Sequence, residues 1–227
     1  MSPSRFAQDI DALLARDIPV LPVEDLLLLP AESSAVALTF DDGFCNFETH
    51  AWPLLKRHAL PVTLFVPTRC VGASNVWDTI PGGHMPPLPI LDWEALTKLA
   101  HDGVTIGAHS RTHADLRRLN RHQLEDEVAG SVDDIEQAIG RRPAAFAYPY
   151  GYHNEDVIHA TRAVCQWACT TLLSPLSADV MTIHDPFRLP RLDAYFLQGP
   201  AALQRYGSPV FGAYLALRAG IRRMRAS

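Results

Sequence analysis

The chain has 227 residues, of which 48% are hydrophobic and 20% charged, with a net charge of −5. Those values fit a globular protein with a substantial core, in one large domain or two small ones, and give no global electrostatic case for a nucleic-acid partner. Cys45, Cys70, Cys165 and Cys169 form no CxxC pair. Their spread excludes a zinc ribbon and a disulfide framework, and predicts free thiols, buried or half-buried.

The opening "MSPSRFAQDI" lacks the basic and apolar regions of a secretory signal, and "LLLLP" at 26–30 is far too short to span a bilayer. A cytoplasmic location is therefore expected for the chain as it stands, although one trimmed of its leader would read the same. Phe6, Ile10, Leu13 and Leu14 recur at helical spacing after the turn-like "SPS". A short strand around Pro19–Val23 and a helical turn at Glu24–Leu29 follow. Ala35 to Phe40 read as a buried strand, which ends in Asp41 and Asp42.

Trp52, Leu54 and Leu55 mark a helix ending near His58, and "PVTLFVP" at 61–67 is a strand. Residues 71–90, rich in Gly and Pro, predict a long surface loop of the kind that contacts substrates. Asp92 caps a helix to His101, and 103–110 is the next strand. Asn120 caps a long helix with Leu124, Val128, Val132, Ile135 and Ile139 on one face. A strand running into a turn over 144–151, a helix over about 154–164 and a strand in "QWACTT" complete the series. Strands alternating with helices argue for an α/β fold with parallel strands, and no repeat or linker divides the chain. A single domain over 1–227 is expected.

In such folds catalytic groups gather at the carboxyl ends of strands. Asp41 and Asp42 end one strand, His109 and His113 follow a second, and Tyr148 to Gly151 follow a third. Two adjacent carboxylates repel, and burying either without a partner is costly, so a cation or a proton should meet them. "HSRTH" spaces two histidines by four. On a helical turn both imidazoles face one side and can share a metal. Two neutral imidazoles with one carboxylate make an open ligand set, leaving positions for water or a substrate oxygen. One aspartate can bind the ion while the other serves as a base beside an acidified water.

"TFDDG", "HSRTH" and "FAYPYG", in this order and spacing, resemble the polysaccharide deacetylase (NodB-homology) family over about residues 35–195. The resemblance implies a distorted (β/α) barrel of about seven parallel strands that hydrolyses acetyl groups on an acetylated carbohydrate. It implies Asp41 as general base, with Asp42, His109 and His113 as ligands of one divalent metal, usually zinc, with cobalt, nickel or iron as alternatives. The backbone N–H of Tyr150 would help hold the oxyanion. The family's arginine before the Pro-aromatic-Gly turn is replaced by Ala147. Arg191, in "FRLPRLD", matches an arginine of the exopolysaccharide-linked branch and is expected to pair with Asp41.

The general acid of that branch lies in a Tyr-His segment upstream of the first helix, where this sequence begins. His184 is the best remaining candidate by position, ahead of His50 and His84. The gap motivates a second reading, a catalytically weak carbohydrate-binding member of the fold; a third, a hydrolase of another amide or ester bond, rests on the 71–90 loop, which could reshape the pocket. The C-terminal stretch, a helix over about 208–225, is apolar and then basic, with Arg218, Arg222, Arg223 and Arg225. A helix docked on the domain is the plainer expectation; peripheral contact with an anionic membrane is the other.

Overall fold

The computed structural model describes residues 1–30, 33–75, 77, 86–176, 185–194, 208, 210–215 and 217–218. Five strands form one parallel sheet in sequence order: β1 (Leu38–Phe40), β2 (Val62–Val66), β3 (Thr105–Ala108), β4 (Ala145–Ala147) and β5 (Trp167–Cys169). The described helices include α1 (Pro3–Leu14), α2 (Val23–Leu26), α3 (Trp52–Arg57), α4 (Trp93–His101), α5 (Arg121–Ile139) and α6 (Glu155–Arg162). The result is a half-barrel of parallel strands with helices, consistent with a distorted barrel.

Alternation along the strands sorts their side chains onto two faces. Val62, Leu64, Val66, Ile106, Ala108, Phe146 and Ala168 join the larger core, with Leu55, Leu96, Val128 and Ile135 from the helices. Phe65, Ala145, Ala147, Trp167 and Cys169 point the other way and pack with Val23 and Leu189. Gly107, between Ile106 and Ala108, falls on that second face, where the Phe65 ring takes the space of a side chain: a Cβ there would sit 2.5 Å from Phe65 Cδ1. By the same alternation Asp41 and His109, one step past β1 and β3, turn toward this second face.

Of the expected seven strands, the described residues supply five. Each edge of the sheet carries an isolated parallel bridge, Val20 with Val36 and Leu189 with Cys169. The strand expected at Pro19–Val23 reduces to that single bridge, held by Leu21 N–H to Val36 O and Val36 N–H to Pro19 O, each 2.8 Å. Pro19, Pro22 and Pro190 flank the bridges and have no N–H with which to extend a ladder.

α5 follows its sequence signals. Asn120 and Gln123 form a reciprocal capping box, and Gly140 closes the helix at φ 76°. Leu124, Val128, Val132 and Ile135 are buried along it, each contributing about 1.5–3 kcal/mol. α3 begins at Trp52, where its apolar pattern starts, and a π-helical turn at Phe47–Ala51 leads into it.

The described arms of the 71–90 segment are not a free surface loop. Asn75 is fully buried, accepts the Leu88 N–H at 2.6 Å and donates to Pro86 O at 3.3 Å. Antiparallel bridges join Ser74 to Pro89 and Phe44 to Ile90. All four cysteines are free, three buried and Cys45 half-buried. Toward the C-terminus Phe211 and Leu215 pack with Leu192 and Tyr214. Of the four arginines behind the membrane reading, Arg218 donates Nε–H to the Tyr214 hydroxyl at 3.1 Å, and Arg222, Arg223 and Arg225 lie outside the described residues. Among the described residues no helix is long and apolar enough to cross a membrane.

Candidate active site

The chain leaves β1 through two consecutive left-handed residues, Asp42 at φ 70° and Gly43 at φ 66°. A Cβ on Gly43 would approach Val66 Cγ1 to 2.9 Å, so strain and space both favour glycine there. The turn aims Asp42 at the loop after β3. Its Oδ1 stands 3.5 Å from His109 Nε2 and 3.4 Å from His113 Nε2.

The two imidazoles do not share a helical turn, as their spacing suggested. Ser110 and His113 both adopt left-handed backbone, at φ 62° and 60°. The Ser110 hydroxyl accepts the His113 N–H at 3.0 Å, which replaces a helical bond with a tight loop. The rings still converge. Both histidines are buried.

His109 donates Nδ1–H to the Ala147 carbonyl at 2.6 Å, since a carbonyl can only accept. In the neutral ring this leaves the lone pair on Nε2, the nitrogen nearer Asp42. Ala147, where the family's arginine was expected, thus contributes through its backbone. The His113 ring is stacked under Trp77, with centroids 4.3 Å apart, and meets the Tyr150 ring edge-on at 4.6 Å.

Asp42 Oδ1 and His113 Nδ1 are buried without a hydrogen-bond partner among the described residues. A carboxylate oxygen facing two ring nitrogens in that state is costly. One ligand atom from each of Asp42, His109 and His113 lies within 4.8 Å of the others, so the cluster could hold a metal ion. An oxygen with two imidazole nitrogens suits a divalent cation of zinc type. Burial and the neighbouring His109 push the His113 imidazole down to about 2, keeping it neutral as a ligand must be. Burial also pushes His109 down, but the Asp42 and Asp41 carboxylates outweigh it and draw it up.

Asp41 lies beside this cluster. Arg191 grips it with two parallel bonds, Nη1 to Oδ1 at 2.7 Å and Nη2 to Oδ2 at 2.8 Å. Arg191 is itself fixed by Nε–H to Thr170 O at 3.0 Å and by Nη1 to Thr39 Oγ1 at 3.3 Å. Burial alone would raise the Asp41 carboxyl; the Arg191 guanidinium, helped by His109 and His113, brings it down to about 2.

Tyr150 heads the turn after β4 in left-handed backbone, φ 59° and ψ 2°. Gly151 follows at φ 73°, and a Cβ there would strike Thr171 Oγ1 at 2.1 Å. The Thr171 hydroxyl donates to Tyr150 O at 3.3 Å and ties the turn to the segment after β5. Tyr148 does not share in the site: it is fully buried in the larger core and donates its hydroxyl hydrogen to Phe187 O at 2.9 Å. His184 and His84 lie outside the described residues, and His50 is exposed on the π-helical turn.

Sequence reasoning missed Trp77 and Glu127. Nothing in the sequence ties Trp77 to a histidine. Glu127 had a signal: it is a carboxylate falling within the apolar stripe of α5, beside Leu124 and Val128.

The family described as "Polysaccharide deacetylase" matches residues 29–164. The Bacillus subtilis protein YxkH is 26% identical over 125 residues, 55% of this chain and 40% of YxkH. The poly-beta-1,6-N-acetyl-D-glucosamine N-deacetylase of Staphylococcus epidermidis is 24% identical over 168 residues, 70% of this chain and 54% of that protein. The chain thus spans about half the length of these curated relatives. In fold it resembles the Streptococcus pyogenes deacetylase PplD, solved in complex with acetate, with a TM-score of 0.68, 23% identity, and coverage of 84% of this chain and 80% of that one. With more than half of its length matched, the chain belongs to the polysaccharide deacetylase family.

Proposed function

We propose that the protein is a metal-dependent hydrolase that removes N-acetyl groups from a carbohydrate. The observation that carries this reading is the convergence of Asp42 Oδ1 and two imidazole Nε2 atoms beside a second carboxylate locked by Arg191. Asp42, His109 and His113 would hold one divalent ion, zinc being the best match to an oxygen and two nitrogens. Such an ion would supply polarisation of the acetyl carbonyl and a more acidic water, which suits a carboxylate base held as low as Asp41.

Asp41 takes the proton of the attacking water. Its two oxygens each accept from Arg191 but retain a further lone pair, so pairing orients the base without blocking it. Tyr150 would support the developing oxyanion through its backbone N–H. The amide C–N bond then breaks, acetate leaves, and the sugar amine takes up a proton. His184 is our candidate donor for that proton, by sequence position alone. The substrate class follows from the family and from the N-deacetylase named among the relatives.

The test is acetate release from N-acetylglucosamine oligomers by protein stripped of metal and reloaded with zinc or cobalt. Release that depends on reloading supports the reading. Metal binding without release on acetylated sugars would count against it.

A further inference from the structure

We propose that Glu127, with the α5 face around it, is a positioning residue that holds His109 and His113 in ligand register. The inference rests on the metal reading above. Glu127 touches neither imidazole; it acts through the two residues of the loop between them.

Glu127 is buried on a core-facing helix, where a lone carboxylate would be costly. It is satisfied entirely by that loop. Oε2 accepts the backbone N–H groups of Arg111 and Thr112, both at 2.9 Å, and Oε1 accepts the Thr112 hydroxyl at 2.7 Å. These bonds catch the peptide units after Ser110, just where the chain turns left-handed to bring His113 back toward His109.

The same helix face holds the loop a second time. Arg111 lies across α5 and donates Nε and Nη2 to Asp134 at 2.9 and 2.7 Å, and Nη1 to Asp126 at 2.5 Å. Thr68, after β2, also donates to Asp134, at 2.6 Å. The guanidinium fits only because residue 130 is glycine: a Cβ there would sit 2.3 Å from Arg111 Cζ. Mid-helix glycine is otherwise unfavourable relative to alanine. Helix propensity is thus given up where the loop needs contact, and the carboxylates on either side of Gly130 take the Arg111 and Thr112 donors between the two candidate ligands.

Groups that orient ligands from behind typically change metal affinity 10–100-fold when removed. The test is cobalt titration of the metal-stripped 227-residue protein, read by affinity and by the cobalt absorption spectrum, with circular dichroism and thermal unfolding as controls. Glu127→Ala is expected to weaken cobalt binding about 10–100-fold and to alter the spectrum. Glu127→Gln keeps an acceptor for the two N–H groups and is expected to stay within about threefold of wild type. Gly130→Ala pushes the guanidinium off Asp134 and Asp126 while favouring the helix, so affinity should fall with the fold retained by circular dichroism, and unchanged affinity counts against the inference. It carries the test if Glu127→Ala does not fold.

A folded Glu127→Ala protein with wild-type affinity and spectrum overturns the inference and leaves the metal reading standing. So does a Gln variant as weak as the Ala variant, which would assign the effect to charge rather than to positioning. Wild-type protein that takes up no cobalt overturns the metal reading, and this inference with it.

Discussion

Arg191 and Asp41 stand 150 residues apart in sequence and meet in a bidentate ion pair of 2.7 and 2.8 Å. The geometry matches the planar fork of a guanidinium to both carboxylate oxygens, and Thr170 and Thr39 hold the fork in place. The pair decides the state of Asp41, because burial works against its charge and the cation restores it.

Arg191→Met should therefore leave burial opposed only by the two neighbouring imidazoles. The Asp41 carboxyl rises, and the proton-accepting form is lost at a higher pH than in wild type. The acid limb of the pH–rate profile is expected to move upward, with a lower plateau. A limb that stays in place would show that Arg191 does not control Asp41.

The same pair makes a prediction about stability. The folded Asp41 value, about 2, is below the unfolded value near 3.9. Its ionisation thus contributes stability that is present above about pH 4 and is lost as pH falls toward 2. Denaturant unfolding between pH 7 and 2.5 should show this loss in wild type, with a flatter dependence in Asp41→Asn.

His109→Ala and His113→Ala each remove one of two buried nitrogens facing Asp42. Metal content after reloading, measured by elemental analysis, should fall from about one equivalent in wild type to near zero in both. Full occupancy in either variant would remove that histidine from the ligand set.

Gly107 tests the packing beneath the site. A methyl group there meets the Phe65 ring at 2.5 Å and Ala145 Cβ at 3.3 Å. Gly107→Ala is expected to destabilise the protein by about 1–3 kcal/mol in denaturant unfolding. Unchanged stability would mean that the Phe65 ring can move aside.

Much of this arrangement was legible in the sequence. Short apolar runs bounded by turn signals located β1 to β5 to within a few residues, and the Asn120 cap and Gly140 framed α5. The edges were not legible: Pro19–Val23 has strand composition, but its prolines leave one bridge. The 109–113 loop was misread as a helical turn because i,i+4 spacing is shared by helices and by tight loops. What closes it is Ser110 Oγ and the Glu127 carboxylate, and Glu127 lies 14 residues further along the chain. Arg191 opposite Asp41 came from family resemblance, since no local pattern reports a pairing across 150 residues.

The central claim is that Asp41 does chemistry beside a metal held by other residues. Metal content and acetate release, measured on the same samples of wild-type and Asp41→Asn protein reloaded with zinc, test it most directly. The account predicts equal metal in both, with release by Asp41→Asn lower by about 10²–10⁴-fold. Undiminished release from Asp41→Asn would contradict it.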